Sequence, residues 1–181
     1  MYRFITEWMD TNLMWVTEQP TFDLAVQAIG LELEGRGIVK DTFARVVSEQ
    51  ERTIPSGVTD VAVPVAVVDV PIRVSKQDGI SLLRLNQPFA MQTIAGESIR
   101  AEAIFFITAT TETKQSALHK LMDDLLMDDE TLQALVHVQS RTGLYHLQAM
   151  GLKAFSYRGV SCTMKITEKE RGCRALFTAQ K

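Results

Sequence analysis

Histidine is scarce in this sequence: His119, His137 and His146 are its only three among 181 residues. None falls at the end of an expected strand, where α/β folds usually place their chemistry. Cysteine is scarcer still. Cys162 and Cys173 both lie in the last 31 residues, so the main body has no disulfide framework. Eleven positions apart, with no histidine beside them, they also make a poor metal site. No run of about eighteen uncharged apolar residues exists, which excludes a transmembrane helix. The opening MYRFITEWMDTNLMW carries Glu7 and Asp10 and lacks the basic-then-apolar layout of a signal peptide. Cytoplasmic residence is therefore expected. A net charge of −3 gives no reason to expect nucleic acid as a partner. The nucleophile elbow, the Walker A loop, HExxH and the dinucleotide glycine fingerprint are all missing. No cofactor and no metal are expected.

What is present is an ordinary globular composition, 46% hydrophobic and 23% charged. Charge is divided unevenly along it. The stretch from Gly151 holds seven basic residues against Glu168 and Glu170, whereas residues 1–150 hold twelve against twenty acidic. Residues 1–150 are expected to form the domain and 151–181 a basic extension, in which YRGVSCTMKIT is a weak edge-strand candidate.

Within the body, helix and strand patterns follow one another. TFDLAVQAIGLELEGRG places Leu24, Ala25, Ala28 and Ile29 at helical spacing, and Gly35 or Gly37 ends it. A second helix is expected from Asp41, whose carboxylate would cap it, with Phe43, Val46 and Val47 on one face. Pro55-Ser56-Gly57 reads as a turn. VTDVAV, GISLLRL and AEAIFFITA read as strands. The near-continuous apolar run of the third predicts burial on both faces, with Ile104–Ile107 at the centre of the sheet. TETKQSALHKLMDDLLM and DDETLQALVHVQS read as two further helices, with Asp128 capping the second. The order implies an α/β fold, a mixed central β-sheet flanked by helices on both faces.

Most polar features have plain structural readings. His119, beside Lys120 on an amphipathic helix, reads as a surface or half-buried residue, and so do His137 and His146. Asp123-Asp124 and Asp128-Asp129 read as a solvated helix end and a cap. Adjacent carboxylates on a helix point about 100° apart and do not form a catalytic dyad.

The order of GIVKDTF, VVSEQERTIPSGV, VAVPV, GISLLRLNQPFAM, AIFFITA and a helix with LLMDD is more specific. It resembles the IIA component of the phosphoenolpyruvate-dependent sugar phosphotransferase system, fructose/mannitol class, nearest the galactitol branch, over roughly residues 15–140. The resemblance implies a cytoplasmic phosphoryl carrier between the phosphocarrier HPr and a IIB component. In that family a histidine directly after an I-A-I-P-like strand carries the phosphoryl group. Here VAVP matches that pattern at Val61–Pro64, and Val65 stands at the histidine position. Valine has no lone pair to accept a phosphoryl group. The family's Arg-Glu reads Gln50-Glu51, with Arg52 the nearest substitute cation, and its second histidine falls at Lys114 or Gln115. The resemblance thus implies a site at Val65, Gln50 and Lys114 with its reactive atom lost, and His119, one turn beyond Lys114, as the fallback. Three readings follow: a degenerate, regulatory or partner-binding IIA-like domain, an active carrier using a relocated histidine at His119, or an unrelated α/β binding domain.

Overall fold

The structure, a computed structural model, describes residues 14–137. The basic extension with its cysteines, His146 and the candidate strand YRGVSCTMKIT lie outside the described residues. The elements are β1 (Met14–Thr17), α1 (Phe22–Gly35), α2 (Phe43–Glu51), β2 (Gly57–Val58), β3 (Val65–Asp69), a short 3-10 turn (Ile72–Val74), β4 (Gly79–Gln92), β5 (Ser98–Thr108), α3 (Glu112–Leu126) and α4 (Asp129–His137). Five strands form one sheet in the order β1-β4-β5-β3-β2. β1 runs parallel to β4 and β3 parallel to β5, whereas β4–β5 and β3–β2 are antiparallel.

Successive side chains on a strand face opposite sides, and this alternation sorts the core into two layers. On one side, Ala66, Val68, Leu83, Ile104 and Phe106 pack against α1 and α2. Phe43 meets Phe106 edge-on there, with ring centroids 5.8 Å apart. On the other side, Val65, Leu82, Ala103, Phe105 and Ile107 pack against α3 and α4 through Leu118, Met122, Leu132 and Leu135. Helices therefore cover both faces of a mixed sheet, as expected. Ile104–Ile107 lie in β5 between β4 and β3, each fully buried.

Local signals explain most helix boundaries. Thr21 caps α1 and Thr111 caps α3 by accepting from Leu24 N and Lys114 N. Asp128 caps α4, its carboxylate accepting from both the backbone and the hydroxyl of Thr131. The expected Asp41 cap does not form. α2 starts at Phe43 after a turn, with Thr42 in a helical conformation and no side-chain cap.

VTDVAV is not the strand it reads as. Only Val58 of it belongs to β2, and residues 60–63 bend, with Asp60 at φ +60°. A left-handed residue interrupts an extended run, so the strand begins after Pro64, whose carbonyl accepts from Glu102 N. β1 gave no clear period in so short a segment. It is held by β4 and by the guanidinium of Arg36, 5.1 Å from the ring centre of Trp15.

The edge strand β2 also meets the β4–β5 hairpin. Gly57 bridges Thr93 just beyond β4, so the tip of the β4–β5 hairpin folds over β2. A Cβ on Gly57 would stand 2.6 Å from the carbonyl oxygen of Gln92. Glycine is required there by close approach of two backbones.

Candidate functional site

The parity of β3 decides which side chains reach the α3 side. Val65, Val67 and Asp69 share that face, while Ala66 and Val68 face α1 and α2. Val65 opens the strand and is fully buried in the core. It stands at the start of β3 beside Pro64, not at its C-terminal end, and it does not line the cleft that Gln50 lines, nor does Lys114, which corrects the placement expected from the VAVP pattern. The apolar run continues beyond Pro64, so the strand ends at Asp69, ahead of a second proline, Pro71. That polar residue inside VAVVDVP was the available signal.

Asp69 is where the remaining polar groups converge. Gln50 Nε2 donates to its backbone carbonyl at 2.8 Å. His119 Nε2, from α3, lies 2.6 Å from its Oδ1. At that distance the ring nitrogen and the carboxylate oxygen are partners, on side chains that are each partly exposed. Gln115 also approaches the carboxylate. Two of the positions singled out in the sequence, Gln50 and His119, are therefore brought together, around a residue sequence reasoning passed over.

Lys114 is not with them. Its ammonium pairs with Asp78, which also accepts from the backbone and hydroxyl of Thr110 at 2.7 Å each. This cluster ties the loop before β4 to the start of α3. Burial pushes the Asp78 carboxyl up, but its bonds from Lys114 and Thr110 prevail and hold it below the usual range. Arg52 is likewise directed elsewhere, its Nη2 lying 3.4 Å from Asp23 Oδ2. The remaining described histidine, His137, is largely exposed and 3.9 Å from Glu102.

Asp69 and His119 open onto a cleft of about 370 Å³ between α2, the β2 turn and α3. Its walls are apolar, formed by Val47, Ile54, Val58, Met122 and Leu126, with Ile94 at the hairpin tip. Ile54 and Ile94 are 59% and 82% exposed, an apolar rim left open to contact. The polar lining comprises Gln50, Glu51, Ser56, Asp69, His119 and Asp123. Among these described residues three are carboxylates and none is lysine or arginine. Burial pushes the Glu51 carboxyl up, partly offset by bonds to Ser56. It does the same to Asp69, partly offset by His119 and Gln115. An ionised carboxylate on this wall is under-compensated, and the cleft favours a cation over an anion. No group of three or more metal-ligating side chains occurs among the described residues, and no helix among them is long and apolar enough to cross a membrane.

Comparison with known proteins agrees with the fold. Residues 11–148 match the profile of the phosphoenolpyruvate-dependent sugar phosphotransferase system, EIIA 2. No curated protein sequence matches significantly. Among solved structures, the mannitol-specific cryptic phosphotransferase enzyme IIA CmtB of Escherichia coli superposes with a TM-score of 0.64 at 15% identity, over 81% of this chain and 99% of that one. Enzyme IIA of the E. coli mannitol system, solved in complex with its phosphorylated enzyme IIB, gives 0.62 at 15% identity over 78% and 97%. The nitrogen regulatory protein IIA-Ntr of Neisseria meningitidis gives 0.61 at 16% identity over 80% and 99%.

Proposed function

The chain belongs to the EIIA 2 family of the phosphoenolpyruvate-dependent sugar phosphotransferase system, and from that premise we propose that it is a cytoplasmic IIA-like domain that meets the system's proteins without carrying phosphate. Its role is regulatory or partner-binding. HPr and a IIB component are the partner classes the family implies. A mannitol IIA of the same fold has been solved with phosphorylated IIB, which supports IIB as a partner. The order of sequence segments favours the galactitol branch. Residues 1–150 are taken as the domain and 151–181 as an extension, a division supported by the family match ending at residue 148.

The observation that carries this reading is the charge of the cleft. A phosphoryl group brings about −1.5 to −2 charges near neutral pH. On His119 it would sit beside Asp69 and within the same cleft as Glu51 and Asp123. Two unit charges about 5 Å apart at an effective dielectric near 20 repel by roughly 3 kcal/mol. Solvent screening lowers that figure at this half-exposed site. A carrier needs a compensating cation. Gln50 supplies no charge, and Lys114 and Arg52 are turned to other carboxylates.

One contact favours a second reading. A carboxylate on His119 Nε2 would hold the proton on that nitrogen and leave Nδ1 with its lone pair for nucleophilic attack. The relocated carrier is therefore a concrete alternative. Incubation with phosphoenolpyruvate, enzyme I and HPr, followed by intact-mass measurement, separates the two. The proposal expects no added phosphoryl mass on the wild type. An acid-labile phosphoryl adduct that disappears in His119→Ala would overturn it and establish the carrier.

A further inference from the structure

The cleft and the residues beyond 150 have opposite charge, and neither feature is used by the fold described above. We infer that the basic extension, residues 151–181, docks in cis on the acidic, apolar-rimmed cleft at Asp69 and competes there with partner proteins. The inference does not depend on whether His119 carries phosphate.

Three observations support it. The first is complementarity: the cleft presents Glu51, Asp69 and Asp123, while the extension carries seven lysines and arginines against two glutamates. The second is that the carboxylates of the cleft lack a compensating cation: among the described residues no lysine or arginine lines it, and burial pushes the Glu51 and Asp69 carboxyls up. Carboxylates in that setting favour a charged donor. The third is shape. Ile54 and Ile94 flank the opening, and Val58 and Met122 lie inside it. A lysine or arginine can lay its aliphatic stem along such walls and bring its charged head to a carboxylate.

Reach poses no obstacle. Residues 138–150 separate α4 from the extension. A segment of that length can span up to about 45 Å, and the radius of gyration of the described domain is about 14 Å by the usual size scaling. Tethering also places the extension at an effective concentration on the order of millimolar, so weak individual contacts suffice. Charge attraction between exposed groups weakens once the Debye length falls to a few ångströms, so the docked state should be salt-sensitive.

The two cysteines make the test direct on the full chain, because both lie in the extension and no other thiol competes for a label. A nitroxide is attached at Cys162 in Cys173→Ser, and separately at Cys173 in Cys162→Ser. Paramagnetic broadening is then read at the methyls of Ile54, Ile94 and Met122. Leu31, exposed on α1, serves as the reference. At low salt, loss of intensity is expected at the cleft methyls, with Leu31 retained. It should recover at roughly 0.5 M salt and in Asp123→Lys, an exposed position where charge reversal leaves the core untouched. Equal broadening at Leu31, no broadening from either label, or broadening unchanged in Asp123→Lys would overturn the proposal. So would broadening that passes to an unlabelled, isotope-enriched copy in a mixed sample, because that would place the contact between chains.

Discussion

Gly57→Ala tests the contact between β2 and the β4–β5 hairpin that shapes one wall of the cleft. The added methyl would stand 2.6 Å from Gln92 O, 3.1 Å from Gln92 C and 3.1 Å from Ile99 Cδ1. The first contact is with backbone, so no side-chain rotation relieves it. β2 and the end of β4 must separate by several tenths of an ångström, and the Gly57–Thr93 bridge weakens with them. Overpacking of this kind costs typically 1–3 kcal/mol. Gly57 does not have positive φ, so the reduced entropy of the unfolded chain returns about 0.4–1 kcal/mol. The net expectation is a loss of about 1–2 kcal/mol. For a domain of this size that lowers Tm by roughly 3–10 °C, measured by calorimetry or thermal circular dichroism at matched pH and salt. Gly35→Ala is the control: nothing lies within 4 Å of its added methyl, and its Tm should hold or rise slightly. The hairpin tip carries Ile94, so the Ile94 methyl resonance should shift in Gly57→Ala. An unchanged Tm, or an equal loss in Gly35→Ala, would refute the steric reasoning.

Asp69→Asn should change stability with a defined sign. Burial first, then the weaker opposing effects of His119 and Gln115, leaves the folded pKa above the ordinary 3.8. The associated stability is fully present below the unfolded value and is lost as pH rises through the folded one. Urea midpoints of the variant should therefore gain on the wild type as pH rises past about 3.8 and converge with it in acid. A gain by the wild type over that range would contradict the burial argument. Asp78→Ala has the opposite pH profile. Its carboxyl is held low, so its contribution is present above the unfolded pKa and is lost as pH falls through the folded value. The variant should lose roughly 1–2 kcal/mol at neutral pH, with the deficit shrinking in acid denaturation series. Val65→His combined with Gln50→Arg should destabilise the protein and acquire no phosphoryl group from HPr. The new imidazole would be buried against the α3 layer rather than placed in the cleft, and an adduct seen by intact mass would show that assignment to be wrong.

The helices and the central strand were legible because their signals are local. Period 3.6, the Asp128 cap and the run AIFFI all act within a few residues. β1 was not legible, since four residues hold no period and its place depends on β4 and on Arg36 over Trp15. The candidate site was legible only in part. Gln50, at the end of α2, and His119, in the middle of α3, were noticed as isolated residues. Their meeting at Asp69 depends on where β3 starts, and that is set by a left-handed Asp60 and the bond from Glu102 to Pro64. The pattern around Pro64 pointed to Val65, but the run to Pro71 carried the strand end to Asp69. Lys114 was placed at the site because Asp78, far from it in sequence, gives no local sign of the pairing.

The two-residue period of β3 also constrains how this segment can change length. Residues 65, 67 and 69 face α3, and 66, 68 and 70 face the opposite layer. Insertion or deletion of one residue between Pro64 and Asp69 would turn the carboxylate away from His119 and send a valine to the cleft in its place, while the core valines would exchange layers. A change of two would restore every facing. Tolerated length variants here should therefore come in even steps, and the acidic character of the cleft is set by the parity of a strand as well as by the identity of its residues.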